Sequence, residues 1–173
     1  WWTAFTKEPE DLTLGLISGN HTWNFGNPKF FSGTMKENMV RDLLFIGATG
    51  DNPIVSENNM LNFTSPAVCS RKGVPSAGYL AFKVDKSGSV LVKVEDPTGA
   101  ANHITVGVGS LDGSSIAVKG GAMAMAYSNS PTKIVIRGIT EESMVYVYPS
   151  GVVSLSQLAW SNDVSYVNTA LPA

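Results

Sequence analysis

The chain carries little charge and very little thiol or imidazole chemistry. Only 15% of its 173 residues are Asp, Glu, Lys or Arg, against a usual share of about 25%. It holds one cysteine, Cys69, and two histidines, His21 and His103. A single thiol closes no internal disulfide and builds no cysteine-based zinc site. Two imidazoles far apart in sequence make a poor beginning for a transition-metal centre. Lys and Arg number 12 against 14 Asp and Glu, so there is no basic excess with which to neutralise phosphates, and nucleic acid is excluded as an expected partner. No apolar run reaches the ~18–20 residues of a membrane-crossing helix. Low charge together with 43% hydrophobic residues excludes a mainly disordered chain, which would need the reverse balance.

Motifs of common chemistries are missing too. There is no Gly-x-Ser-x-Gly elbow. Gly47–Ala48–Thr49–Gly50 lacks the following Gly-Lys-Ser/Thr of a phosphate loop. The oxygen-rich stretch Gly50 to Asn59 lacks the spacing of a calcium-binding helix-loop-helix and reads as Asx turns. Glu8, Glu10 and Asp11, Glu95 and Asp96, and Glu141 and Glu142 fall where solvated charges sit. No catalytic residue, metal site or cofactor is expected.

What is present is alternation of period two, the mark of half-buried strands. Tyr79 to Asp85 puts Leu80, Phe82 and Val84 on one face. Ser89 to Glu95 does the same with Val90, Val92 and Val94, and the intervening Lys86–Ser87–Gly88 predicts a hairpin. His103 to Gly109, Ser115 to Lys119, Met123 to Tyr127, Lys133 to Arg137, Met144 to Tyr148 and Val152 to Trp160 continue the series, with Gly120–Gly121 separating the fourth from the fifth. Helical patterns are missing between them, which predicts an all-β fold, an antiparallel β-sandwich or barrel and not a βαβ fold. Upstream, Leu12 to Ile17, Asp42 to Gly47 and Met60 to Phe63 read as strands, with Glu37 to Leu44 as one short helical turn in the alternative. A length of 173 residues fits one domain, with an irregular, aromatic-rich part over 1–75. The start at Trp1 is expected of a processed product or of a domain cut from a longer protein.

Aromatics interleaved with polar residues suggest a ligand surface, because flat rings stack on the CH faces of sugars while neighbouring amides bond the hydroxyls. On that ground Trp23, Phe25 and Tyr148 are expected to stack, with His21, Asn24 and Arg137 as hydrogen-bonding partners. The alternative for the same residues is plain packing: His21, Trp23 and Phe25 alternate like a core-facing strand, and Met144, Tyr146 and Tyr148 like a second apolar layer. Cys69 reads as a small buried side chain.

The stretch Lys133–Ile134–Val135–Ile136–Arg137–Gly138, then Val145–Tyr146–Val147–Tyr148–Pro149–Ser150–Gly151, then Val152 to Trp160, resembles the ending of accessory jelly-roll domains in secreted or surface polysaccharide-processing proteins of Bacteroidetes. The segment Phe82 to Val94 is similar to the matching upstream part, so the resemblance covers about residues 78–161. It implies a jelly-roll sandwich, an extracellular, cell-surface or periplasmic location with a removed signal segment, and glycan binding or support of a neighbouring module. A glycan is then the expected partner, with a protein partner as the second expectation and membrane contact only through a lipid anchor. The readings in competition are a non-catalytic carbohydrate-binding-like module, a structural or adhesive surface domain, a membrane-active sandwich led by Trp1, Trp2, Phe5, Phe30 and Phe31, and an enzyme.

Overall fold

A computed structural model of the chain describes residues 14–25, 33–35, 37–47, 54–57, 60–70, 73–110, 114–124 and 130–163. The aromatics at 1, 2, 5, 30 and 31, the oxygen-rich stretch at 50–52 and the turn at 112–113 lie outside these. The described strands are β1 (Leu16–Ile17), β2 (His21–Asn24), β3 (Gly33–Met35), β4 (Glu37–Val40), β5 (Leu43–Ile46), β6 (Ile54–Glu57), β7 (Met60–Phe63), β8 (Val68–Cys69), β9 (Pro75–Ala77), β10 (Tyr79–Val84), β11 (Gly88–Glu95), β12 (His103–Gly109), β13 (Ile116–Met123), β14 (Ser130–Ile136), β15 (Ser143–Pro149) and β16 (Val153–Ser161). There is no helix among the described residues, and Glu37–Val40 is a strand followed by a turn, not a helical turn.

Two sheets pack face to face. The first runs β13-β12-β15-β10-β5-β4, with β1 parallel to the end of β10. The second runs β14-β11-β16-β7-β6-β3, with β2 on the far part of β16. Successive strands from β10 onward change sheet repeatedly, the jelly-roll habit expected from the sequence. The expected hairpin of residues 79–95 does not form. β10 pairs with β15 and β5, whereas β11 pairs with β14 and β16. Lys86–Ser87 instead carries the chain from one layer to the other, so Leu80, Phe82 and Val84 join the same core as Val90, Val92 and Val94 from the opposite sheet. Nor do Gly120 and Gly121 separate two strands. β13 runs through both, because Gly121 lies where a Cβ would come 2.7 Å from the Ile104 carbonyl oxygen, and Gly120 where it would crowd Ile134. The register shifts there, leaving Lys119 without a partner on β12. That is a bulge in an edge strand, a device that blunts edge pairing.

The centre of the core is a column of rings. His21 lies 4.7 Å from Trp23, Trp23 lies 5.1 Å from Phe82, and Phe82 lies 5.8 Å from Trp160. Trp23 and Trp160 come from one sheet and Phe82 from the other, so the column bridges the layers. Trp23 Nε1 donates to the carbonyl of Arg41 at 3.0 Å. Arg41 and Asp42 both hold positive φ, at 49° and 66°, in the two-residue turn between β4 and β5, the geometry that matches the twist of a tight hairpin. The Arg41 guanidinium donates to the Thr22 carbonyl, and Gly15 N–H donates to Asp42 Oδ1 at 3.1 Å. One turn thus fastens the segments leading into β1 and β2.

A second apolar cluster covers the outer face of the first sheet: Leu44, Ile46, Ala81, Met144 and Tyr146, flanked by Tyr79 and Tyr148. The ribbon β8–β9 folds over it, held by Ala67 N–H to the Pro149 carbonyl at 3.0 Å and Gly78 N–H to the Ile46 carbonyl at 2.9 Å.

Asp96 organises the loop at one end of the sandwich. Its Oδ1 accepts from Thr98 Oγ1 at 2.6 Å, Thr98 N at 2.8 Å and Gly99 N at 3.0 Å, and its Oδ2 from Asn102 N at 3.0 Å. The Thr98 hydroxyl first, then the Asn102 amide, hold this carboxyl down to about 2. A depressed carboxyl stabilises the fold above the unfolded-state value and loses that contribution as pH falls through the folded value. The contribution of Asp96 is therefore expected to vanish between about pH 4 and pH 2. Urea melts across that range are expected to show a shallower acid loss for Asp96→Asn than for the natural chain. Equal slopes would show that Asp96 does not drive the acid limb.

Candidate functional site

The six residues expected to touch ligand do not meet in one place. Trp23 is fully buried and Phe25 nearly so. A ring without an exposed face has none to offer a sugar, so the expected stacking role of these two is corrected to a core role. Phe25 is pinned by its N–H, which donates to the carbonyl of Ser156 at 2.9 Å, the residue the register skips in β16. His21 turns inward beside Trp23, and its Nε2 has no hydrogen-bond partner among the described residues. Asn24 is exposed between the two buried aromatics. Tyr148 lies on the opposite sheet at the margin of the second cluster. Burial raises its phenol above the ordinary range, with Cys69 adding to the rise. Cys69 itself is exposed, not buried as expected, and partial desolvation raises its thiol. A raised thiol is a weak nucleophile.

Arg137 lies elsewhere again, at the end of the sandwich away from the Asp96 loop. It lines a surface cavity of about 140 Å³ together with Ser87, Gly88, Val135, Ile136 and Asn162. The register builds this site. Ile136 faces Gly88 across β14–β11, Ser89 faces Ser161 across β11–β16, and Trp160 faces His21 across β16–β2. Gly88 forms its floor. A Cβ there would come 2.4 Å from the Ser161 carbonyl oxygen and 2.6 Å from Trp160 Cζ2, so any side chain would collide with the sheet behind it. The buried Trp160 ring therefore packs against Gly88, with its Nε1 unpartnered among the described residues.

Hydrogen bonds fix the walls. Asn162 Nδ2 donates to the Ser87 carbonyl at 2.9 Å, and Asn162 Oδ1 accepts from Gly19 N at 2.7 Å. Ser87 Oγ accepts from Ile139 N at 3.0 Å. Arg137 is exposed and makes no hydrogen bond or ion pair among the described residues. The one ion pair among them joins Lys83 and Glu142 at 3.7 Å. About 140 Å³ is below the ~300 Å³ of a pocket that encloses a ligand, so the cavity suits one functional group or the edge of one ring. Of the residues lining this cavity, the sequence singled out Arg137 and not Ser87, Gly88 or Asn162. Ser87 and Gly88 read only as turn residues, and no pattern singled out Asn162. No group of three or more His, Cys, Asp or Glu side chains that could hold a metal occurs among the described residues.

No protein-family model matches the sequence, and no curated protein matches it. Solved structures do. BiXyn10A CBM1 in its apo form, a carbohydrate-binding module, is 10% identical, with a TM-score of 0.50, 85% of this chain covered and 100% of that one. The K1 cleaved adhesin domain of Lys-gingipain from Porphyromonas gingivalis W83 is 14% identical, with a TM-score of 0.50, 83% of this chain covered and 98% of that one. A family two carbohydrate esterase from Cellvibrio japonicus is 16% identical with a TM-score of 0.46 over 85% of this chain, which spans only 35% of that enzyme's length. At such identities the likeness shows the fold. The chain is an all-β sandwich of the kind seen in carbohydrate-binding modules and an adhesin domain.

Replacing Trp23 by Ala is expected to cost about 3–5 kcal/mol of stability, the range for deleting a large buried ring. Chemical denaturation measures it. A loss below about 1 kcal/mol would return Trp23 to the surface, since exposed substitutions fall within ~0.5 kcal/mol.

Proposed function

We propose that this chain is a non-catalytic carbohydrate-binding-like module of an extracellular, cell-surface or periplasmic protein, and that it binds at the Arg137 cavity. The observation that carries the reading is the cavity itself: an exposed guanidinium with no partner among the described residues, on a wall fixed by Asn162 and Ser87, over a floor that only glycine can form. Sugars are bound through such fixed polar groups beside an apolar surface, and Val135, half-buried on the cavity wall, supplies the apolar part. The sandwich shared with a carbohydrate-binding module is consistent with this role and does not establish it.

A structural or adhesive role is the second reading. The burial of Trp23 and Phe25 favours it, since it removes two of the expected stacking rings. So do Val118 and Met123, 63% and 56% exposed on β13 at the edge of the first sheet.

Trp160, packed against Gly88 of the cavity, gives intrinsic fluorescence a reporter close to it. A glycan array followed by titration is expected to yield a saccharide that shifts tryptophan emission saturably, with the shift lost in Arg137→Ala. A saccharide that binds with equal affinity to Arg137→Ala would move the site elsewhere. A broad array without binding, to a protein that circular dichroism shows to be folded, would favour the adhesive reading.

A further inference from the structure

Resting on the carbohydrate-binding reading above, we propose that the sugar unit seated at the end cavity carries a carboxylate, that of a hexuronic acid, and that Arg137 is the residue that selects it. The argument is an accounting of donors and acceptors. Each side-chain acceptor on the cavity wall already takes a hydrogen bond: Asn162 Oδ1 from Gly19 N, and Ser87 Oγ from Ile139 N. The Ser87 carbonyl takes one from Asn162 Nδ2. Each of these oxygens keeps one further lone pair. The donors are open. The five N–H groups of Arg137 have no partner among the described residues, and the Ser87 hydroxyl proton has no recorded acceptor. The unpaired guanidinium adds five donors and a positive charge, which fits an anionic group that only accepts. A carboxylate is that group, and its planar pair of oxygens matches the guanidinium fork.

The size agrees. About 140 Å³ holds a few waters at ~30 Å³ each, enough for a carboxylate and the ring edge that bears it. The half-buried Val135 side chain can meet the CH edge of that ring. Glu142, the carboxylate with a recorded counter-charge at this end, is taken up by Lys83 and leaves Arg137 uncompensated.

The test compares oligogalacturonate and oligoglucuronate with their methyl esters, which keep ring and linkage and remove the charge. Titrations use the full chain and tryptophan fluorescence. At least one acid is expected to bind about tenfold more tightly than its ester, the worth of one charge-assisted hydrogen bond. Arg137→Gln is expected to abolish that preference with its melting temperature unchanged, and Arg137→Lys to keep part of it. Added salt is expected to weaken the acid and spare the ester. Equal binding of acid and ester overturns the carboxylate assignment and leaves the carbohydrate reading standing. So does failure of both acids to bind while a neutral or sulfated glycan binds in the same assay. Absence of binding to any glycan overturns both.

Discussion

The buried indole N–H of Trp23 is the group on which the architecture turns. A donor removed from water without a partner costs more than any ordinary contact returns. Its partner is the Arg41 carbonyl at 3.0 Å, which can face Trp23 because the β4–β5 turn holds two successive residues at positive φ. Arginine is seldom found there. Three contacts offset the strain: the indole donating to the Arg41 carbonyl, the guanidinium donating to Thr22, and Asp42 accepting from Gly15. With Trp23 fixed, the rings follow. Phe82 packs tilted against it from the other sheet and Trp160 meets Phe82 at its edge. The N-terminal strands are thereby attached to the core they share with the later strands.

The two ends of the sandwich treat polar groups differently. At the Asp96 end one carboxylate collects four donors from its own loop, so the charge is satisfied locally and has little left to offer. At the other end the bonds run between segments, from Asn162 to Gly19 and Ser87 and from Ser87 to Ile139. They fix the walls without reaching Arg137. Binding sites need rigid surroundings and unspent polar groups together, and among the described residues this combination occurs at the Arg137 end.

The strands were legible where alternation ran long. β10, β12, β15 and β16 lie close to where period two puts them, because their Val, Ile and Phe residues meet a core on one face. Period two reports which face is buried, and it does not report which strand lies alongside. The mistaken hairpin of residues 79–95 follows from that: Leu80 and Val90 both face the core, in either arrangement. The short early strands left no such signal, since β3, β8 and β9 have three residues or fewer. The expected site failed for a related reason. Trp23, Asn24 and Phe25 alternate aromatic and polar, as a strand does whether its aromatic side meets sugar or core. Only the partner sheet, through Phe82, decides it. Arg137 was legible because a charge that ends an apolar strand is solvated wherever the strand lies. Gly88 was not, because its role depends on Trp160, far away in sequence.

A shallow cavity with one free cation also limits how tightly it can bind. One charge-assisted contact and one ring edge contribute a few kcal/mol before the cost of association, which places a single site at millimolar to micromolar affinity by order of magnitude. Under the carbohydrate reading this suits a polymeric ligand, which presents many copies of one unit, so a weak site is reoccupied without deep enclosure. Tethering to a second binding unit would raise the effective affinity by ~10²–10⁴ without any change in the cavity. An adhesive surface would need the opposite design: a broad apolar contact approaching ~1,000 Å². The edge strand β13 offers two exposed apolar side chains interrupted by Lys119 at a bulge, which opposes the continuous pairing such a contact requires. The energetic case therefore rests with the end of the sandwich, where the fold leaves a charge unspent, and not with its edge, where it has broken the strand's regularity.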